Sequence, residues 1–150
     1  MVTTVGTSND LRTLLKNFIQ LERDAIAAYD VTIDKLDNPA FKERIASFRA
    51  DHERHLAELT DLAVAHDAPV PAEGDAKEML TTGKVKIADL VAGDGAILQA
   101  MSSNESDTVT AYERGAGSDA VPEAARSVFV RALEDERRHK AWMEEAARAG

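Results

Sequence analysis

"DHERH" (residues 51–55) and "DERRH" (residues 135–139) write nearly the same charged pentapeptide twice, 84 positions apart. The shared pattern is D-x-x-R-H, and the two middle positions differ: His52 stands where the second copy has Glu136, and Glu53 where it has Arg137. A second pair of stretches repeats at almost the same offset. "ERDAIAAY" (22–29) and "ESDTVTAY" (105–112) share E-x-D-x-x-x-A-Y, 83 positions apart. The chain therefore reads as two copies of one helical hairpin, each carrying a Glu and a His in corresponding places.

Four long helical segments frame these stretches. The first follows the capping cluster "SND" (8–10) and runs from about Leu11 to Leu36. "DNP" (37–39) breaks it, with Pro39 well placed as an early residue of the second helix, which continues to about Ala65. The third lies near 94–114 and ends at "RGAGSDAVP" (114–122). The fourth starts near Pro122 and runs almost to the C-terminus. Short connections make antiparallel hairpins of about 11–65 and 94–148. The crossover, 66–93, carries several breakers and a weak short helix around 76–81, and is long enough for helices 2 and 3 to run parallel. Neither half has enough apolar surface alone, so the expectation is one all-α four-helix domain.

Composition agrees. The 150 residues are 44% hydrophobic and only 5% aromatic, with Ala abundant, which favours helices over a sandwich or barrel. A net charge of −9 argues against non-specific nucleic-acid or anionic-membrane binding and suits a protein that attracts cations. The absence of Cys excludes disulfides, thiolate metal sites and Cys nucleophiles. The stretch "MVTTVGTSND" lacks a basic start and an apolar run, and no 18-residue apolar stretch occurs, so a cytoplasmic protein without a membrane span is expected.

The helical seams locate the chemistry. Positions 11, 15, 18, 22, 25 and 29 of the first helix alternate by four and three, as a bundle seam does. The second helix offers 41, 45, 48, 52, 55, 59 and 62, the third 98, 101, 105, 108 and 112, and the fourth 125, 129, 132, 136, 139, 143 and 146. Each stripe is mainly apolar except near its middle. There Glu22, His52, His55, Glu105, Glu136 and His139 intrude. Burying such groups is expensive unless they are paired. Three carboxylates and three imidazoles facing one another have a common partner in a divalent cation, and that donor mixture suits Fe, Mn or Zn better than Ca or Mg.

A Glu on helices 1 and 3, with Glu-x-x-His on helix 4 and its near copy on helix 2, resembles the ligand plan of di-iron carboxylate bundles. Over residues 8–148 the chain is similar to ferritin-like, rubrerythrin-related bacterial domains without an assigned function. The resemblance implies that Glu22 and Glu105 are terminal carboxylates, Glu136 a bridging carboxylate, and His55 and His139 imidazole ligands. It implies two iron ions, with O2 or peroxide as co-reactant. His52 departs from the plan, which expects a second bridging Glu there. Glu53 cannot replace it, since one residue turns the side chain about 100° away. Three carboxylates do not neutralise two divalent ions, so unequal occupancy is expected unless His52 itself ligates. With no Cys, a rubredoxin-type module is excluded.

Two functions stay open: Fe(II) oxidation or peroxide handling, and a structural or stress-associated module with a metal-free core or one structural ion. A small homo-oligomer is expected rather than a cage. Tyr29 and Tyr112 lie on the same stripe as their Glu, as core tyrosines or as groups beside the metal. Asp24 and Asp107 fall off the stripe, which points to a solvated face or pairing between helices. Arg54 and Arg138 read as surface ion-pair partners, His66 as a contact at the end of helix 2, and Trp142 as packing or an oligomer contact. "HERH" (52–55) is no zinc-protease motif, because its histidines are three apart, not four.

Overall fold

The computed structural model describes residues 3–72, 87 and 90–149. Four helices occur in chain order: α1 (Leu11–Lys35), α2 (Pro39–Ala65), α3 (Asp94–Gly117) and α4 (Glu123–Ala149). The architecture is an all-α four-helix bundle. The short helix expected around 76–81 lies outside the described residues. Among the described residues no helix is long and apolar enough to cross a membrane.

The termini of the helices follow from their caps. Asp10 caps α1 by accepting from the Thr13 backbone N–H at 3.2 Å, satisfying a donor that has no partner within the helix. Asn38 does the same for α2, accepting from Ala40 N–H at 2.9 Å, and Pro39 occupies the first helical turn. The α1–α2 turn is held from outside as well. Both carboxylate oxygens of Asp94, at the start of α3, accept backbone N–H groups of Asp37 and Asn38 at 2.9 Å.

Helix α3 continues to Gly117, three residues beyond the expected Arg114. Gly115 explains the extension. A Cβ there would stand 2.6 Å from the Phe129 ring and 3.0 Å from that of Phe18, so this helical position accepts two aromatic rings only because it lacks a side chain.

Cross-helix contacts fix the directions. Asp30 meets Arg49 at 2.6 Å and Glu22 meets His52 at 2.9 Å, so α1 and α2 are antiparallel. Gly115 packs on Phe129 while Glu105 faces His139 at 4.0 Å, so α3 and α4 are antiparallel. Helix α1 also packs on α3 and α2 on α4. Tyr29 reaches Glu105 and Tyr112 reaches Glu22, so α1 and α3 run in opposite directions. It follows that α2 and α3 are parallel, as expected for a crossover spanning the bundle.

Two apolar clusters fill the interior. One contains Leu15, Phe18, Leu59, Tyr112 and Phe129; the other contains Tyr29, Ile45, Phe48, Met101 and Met143. All six seam Glu and His residues are buried, at helix positions between the residues that build these clusters. The core is thus apolar, polar, then apolar along its axis. Trp142 packs edge-on against Phe41 and Phe48, the packing role allowed by its position.

Candidate metal centre

Glu22, His52, His55, Glu105, Glu136 and His139 come together in the middle layer. They form two overlapping groups: Glu22, His52, His55 and Glu136, and His52, Glu105, Glu136 and His139. Within each group one donor atom from every residue lies within 4.8 Å of the others. His52 and Glu136, which occupy the same position of the repeat, belong to both groups. His52 thus sits between the half-sites, where the resemblance expects a bridging carboxylate.

The repeat is also visible in the bonds. Tyr29 donates to Glu105 Oε1 at 2.6 Å, and Tyr112 donates to Glu22 Oε1 at 3.0 Å. His55 Nε2 lies 2.8 Å from Asp135, and His139 Nε2 lies 2.8 Å from Asp51. Each copy therefore supplies the Asp that holds the other copy's His. Arg54 contacts both Asp51 and Asp135, and so does Arg138, giving a four-membered ring of charges across α2 and α4. The Arg ion pairs were expected from the sequence; the role of Asp51 and Asp135 was not. Only the leading D of D-x-x-R-H hinted at it.

With Nε2 occupied from outside, both outer histidines turn Nδ1 inward. His55 Nδ1 lies 3.5 Å from Glu22 and 3.4 Å from Glu136. His139 Nδ1 lies 3.6 Å from Glu136. His52 bonds Glu22 through Nδ1 at 2.9 Å and points Nε2 at Glu105 and Glu136, both at 3.4 Å. Among the described residues, five atoms of this layer are buried without a hydrogen-bond partner: His52 Nε2, His55 Nδ1, Glu105 Oε2 and both oxygens of Glu136. Buried polar atoms in native proteins are nearly always satisfied, so five converging orphans could hold a ligand. Their spacing fits a cation. A tetrahedral ion with bonds of about 2.1 Å sets its donors about 3.4 Å apart.

Electrostatics shows what the residues do without that ion. Burial and the facing charges of Glu105 and Glu22 push Glu136 well above the carboxylate range, so it holds a proton. Burial would raise Glu22 and Glu105 too. Glu22 is nevertheless held low by the charge and bond of His52, and Glu105 by the Glu136 carboxyl beside it and the His52 ring. Burial opposes the charge on His52, but Glu22 and Glu105 outweigh it and raise the ring to about 10. Burial lowers His139 to about 4, leaving it neutral. On His55 burial acts downward and the bond to Asp135 prevails, raising it. Both tyrosines stay protonated, raised by burial and by the carboxylates they bond.

Asp24 is half-buried: its Oδ1 has no hydrogen-bond partner among the described residues, and burial raises the carboxyl to about 7. Asp107 is half-buried.

The profile of a protein family described as a domain of unknown function, DUF2383, matches residues 9–116. The chain belongs to this family. The DUF2383 match takes in α1, α2 and α3, with Glu22, His52, His55 and Glu105, and stops before Glu136 and His139 on α4. No curated protein and no solved structure matches the chain.

Proposed function

We propose that this chain is a ferritin-like, rubrerythrin-related metal-binding bundle that holds iron in two unequal half-sites. Its reaction on this reading is oxidation of Fe(II) by O2, or the handling of peroxide. The observation that carries the metal reading is the set of five buried, partnerless donor atoms converging in the polar layer. Glu22, His55 and Glu136 would hold one ion, Glu105, His139 and Glu136 the other, with His52 Nε2 directed at the shared region. Manganese or zinc suits the same donors.

Iron bound there supplies one-electron chemistry towards O2 or peroxide. The chain's own residues prepare the place. Tyr29 and Tyr112 orient the terminal carboxylates, and Asp135 and Asp51 fix which nitrogen of each outer His faces inward. The apolar clusters at either end exclude water from the layer. The test is aerobic Fe(II) oxidation followed optically. Wild type should exceed both buffer and Glu136→Ala; a wild type no faster than Glu136→Ala contradicts the redox reading.

One observation favours a second reading, a structural module with a metal-free core or a single structural ion. His52 bonds Glu22 at 2.9 Å and carries charge against two ionised carboxylates, which compensates part of the layer internally. Metal content separates the two readings.

A further inference from the structure

The pentapeptide repeat relates the surroundings of His55 to those of His139, and these surroundings differ. Phe48 stacks on the His139 ring, with centroids 4.2 Å apart and planes at 25°. Trp142 closes edge-on over Phe48, and the Arg138 guanidinium lies above the same ring. On the other side the repeat puts Ala132 at the place of Phe48 and Glu58 at the place of Trp142. A cleft of about 330 Å³ opens there, lined by Arg54, His55, Glu58, Arg131, Ala132 and Asp135 among others. Its mouth is at solvent, since the side chains of Arg54 and Arg131 are 50% and 63% exposed.

We propose that divalent cations reach the buried centre through this cleft, past His55, while the His139 side is closed to them by Phe48 and Trp142. This deepens the metal reading and rests on it. The lining suits a cation. Three carboxylates, Glu58, Glu134 and Asp135, stand against two guanidinium groups: Arg131 pairs with Glu58 at 3.0 Å and Arg54 with Asp135 and Glu58, which leaves the charge of Glu134 in excess. His55 stands between cleft and centre, with Nε2 on Asp135 and Nδ1 towards Glu22 and Glu136. A ring rotation together with Asp135 would open the way without disturbing the backbone of α2. The half-site of Glu22 and His55 therefore fills and empties first, and that of Glu105 and His139 follows.

Stopped-flow uptake of Co(II) by the metal-free protein, read by its visible absorbance, tests the route. Wild type should load in a fast and a slow phase. Ala132→Phe and Glu58→Trp each copy the closed side, and should slow the fast phase by about tenfold or more at unchanged final absorbance. Glu58→Trp sits at a part-exposed position and keeps the test available if Ala132→Phe disturbs the core. Glu58→Gln removes the charge without filling the cleft and should stay within about threefold of wild type. Phe48→Ala should speed the slow phase. Uptake unchanged in both plugging variants overturns the route while leaving the metal reading intact. A wild type that takes up no Co(II) overturns the metal reading and the route with it.

Discussion

Asp51 on α2 holds Nε2 of His139 on α4 at 2.8 Å, although His55 lies four residues along its own helix. Asp135 returns the same contact to His55 at 2.8 Å. The repeated pentapeptide is thus a reciprocal clamp. Its Asp and Arg tie α2 to α4, and the Asp also sets the direction in which the opposite His presents its free nitrogen.

Removing one arm of the clamp should weaken the centre without unfolding the bundle. Asp135→Asn keeps the shape but loses the charge that fixes His55, and metal affinity should fall by about 10- to 100-fold. Titration of wild type and variant with Zn(II), alongside circular dichroism, measures both effects. An unchanged affinity would mean that the clamp only joins helices.

Much of this was legible in the sequence. The four-and-three spacing placed Glu22, His52, His55, Glu105, Glu136 and His139 on inward stripes, and all six are buried. The spacing says which way a side chain leaves its helix, not which helix it meets. Asp51 and Asp135 were missed for that reason, because their partners come from the opposite hairpin. The tyrosines likewise pair across helices, Tyr29 with Glu105 rather than with Glu22 of its own stripe. The partial burial of Asp24 and the continuation of α3 through Gly115 depend on tertiary neighbours, which no local pattern encodes.

Stripping the metal should destabilise the fold. A cation that binds only the folded state, present at 100 times its dissociation constant, adds about 2.7 kcal/mol. For a chain of this size that corresponds to a rise of about 5–10 °C in Tm. Scanning calorimetry with and without chelator measures it. Equal Tm values would favour the metal-free structural module.

Affinity should climb with pH. His52, raised to about 10, and Glu136, raised well above its usual range, both hold protons in the metal-free centre, and a cation must displace them. Affinity should therefore gain about tenfold per pH unit for each proton displaced, over the range below the raised pKa values. In the metal-free protein the His52 charge contributes stability in full below its ordinary value of 6.5, and loses it as pH rises to about 10. Calorimetric titration in buffers of different ionisation enthalpy counts the protons. Zero release would contradict these protonation states.

Restoring the bridge should equalise the half-sites. His52→Glu adds a carboxylate that both groups share, offsetting the mutual repulsion of two cations in a low-dielectric core. Its metal content should rise towards two, and Fe(II) oxidation should quicken. Two tight, equivalent ions already present in the wild type would show that His52 does not limit occupancy.

The most direct measurement is elemental analysis of wild type and Glu136→Ala, each purified from iron-supplemented cells and dialysed. Among the described residues, Glu136 is the carboxylate shared by both donor groups, and neither of its oxygens has a hydrogen-bond partner. The expected result is at least one tightly held ion per wild-type chain, a second at lower occupancy, and none in Glu136→Ala. A folded wild type carrying no more metal than Glu136→Ala would contradict the metal centre itself.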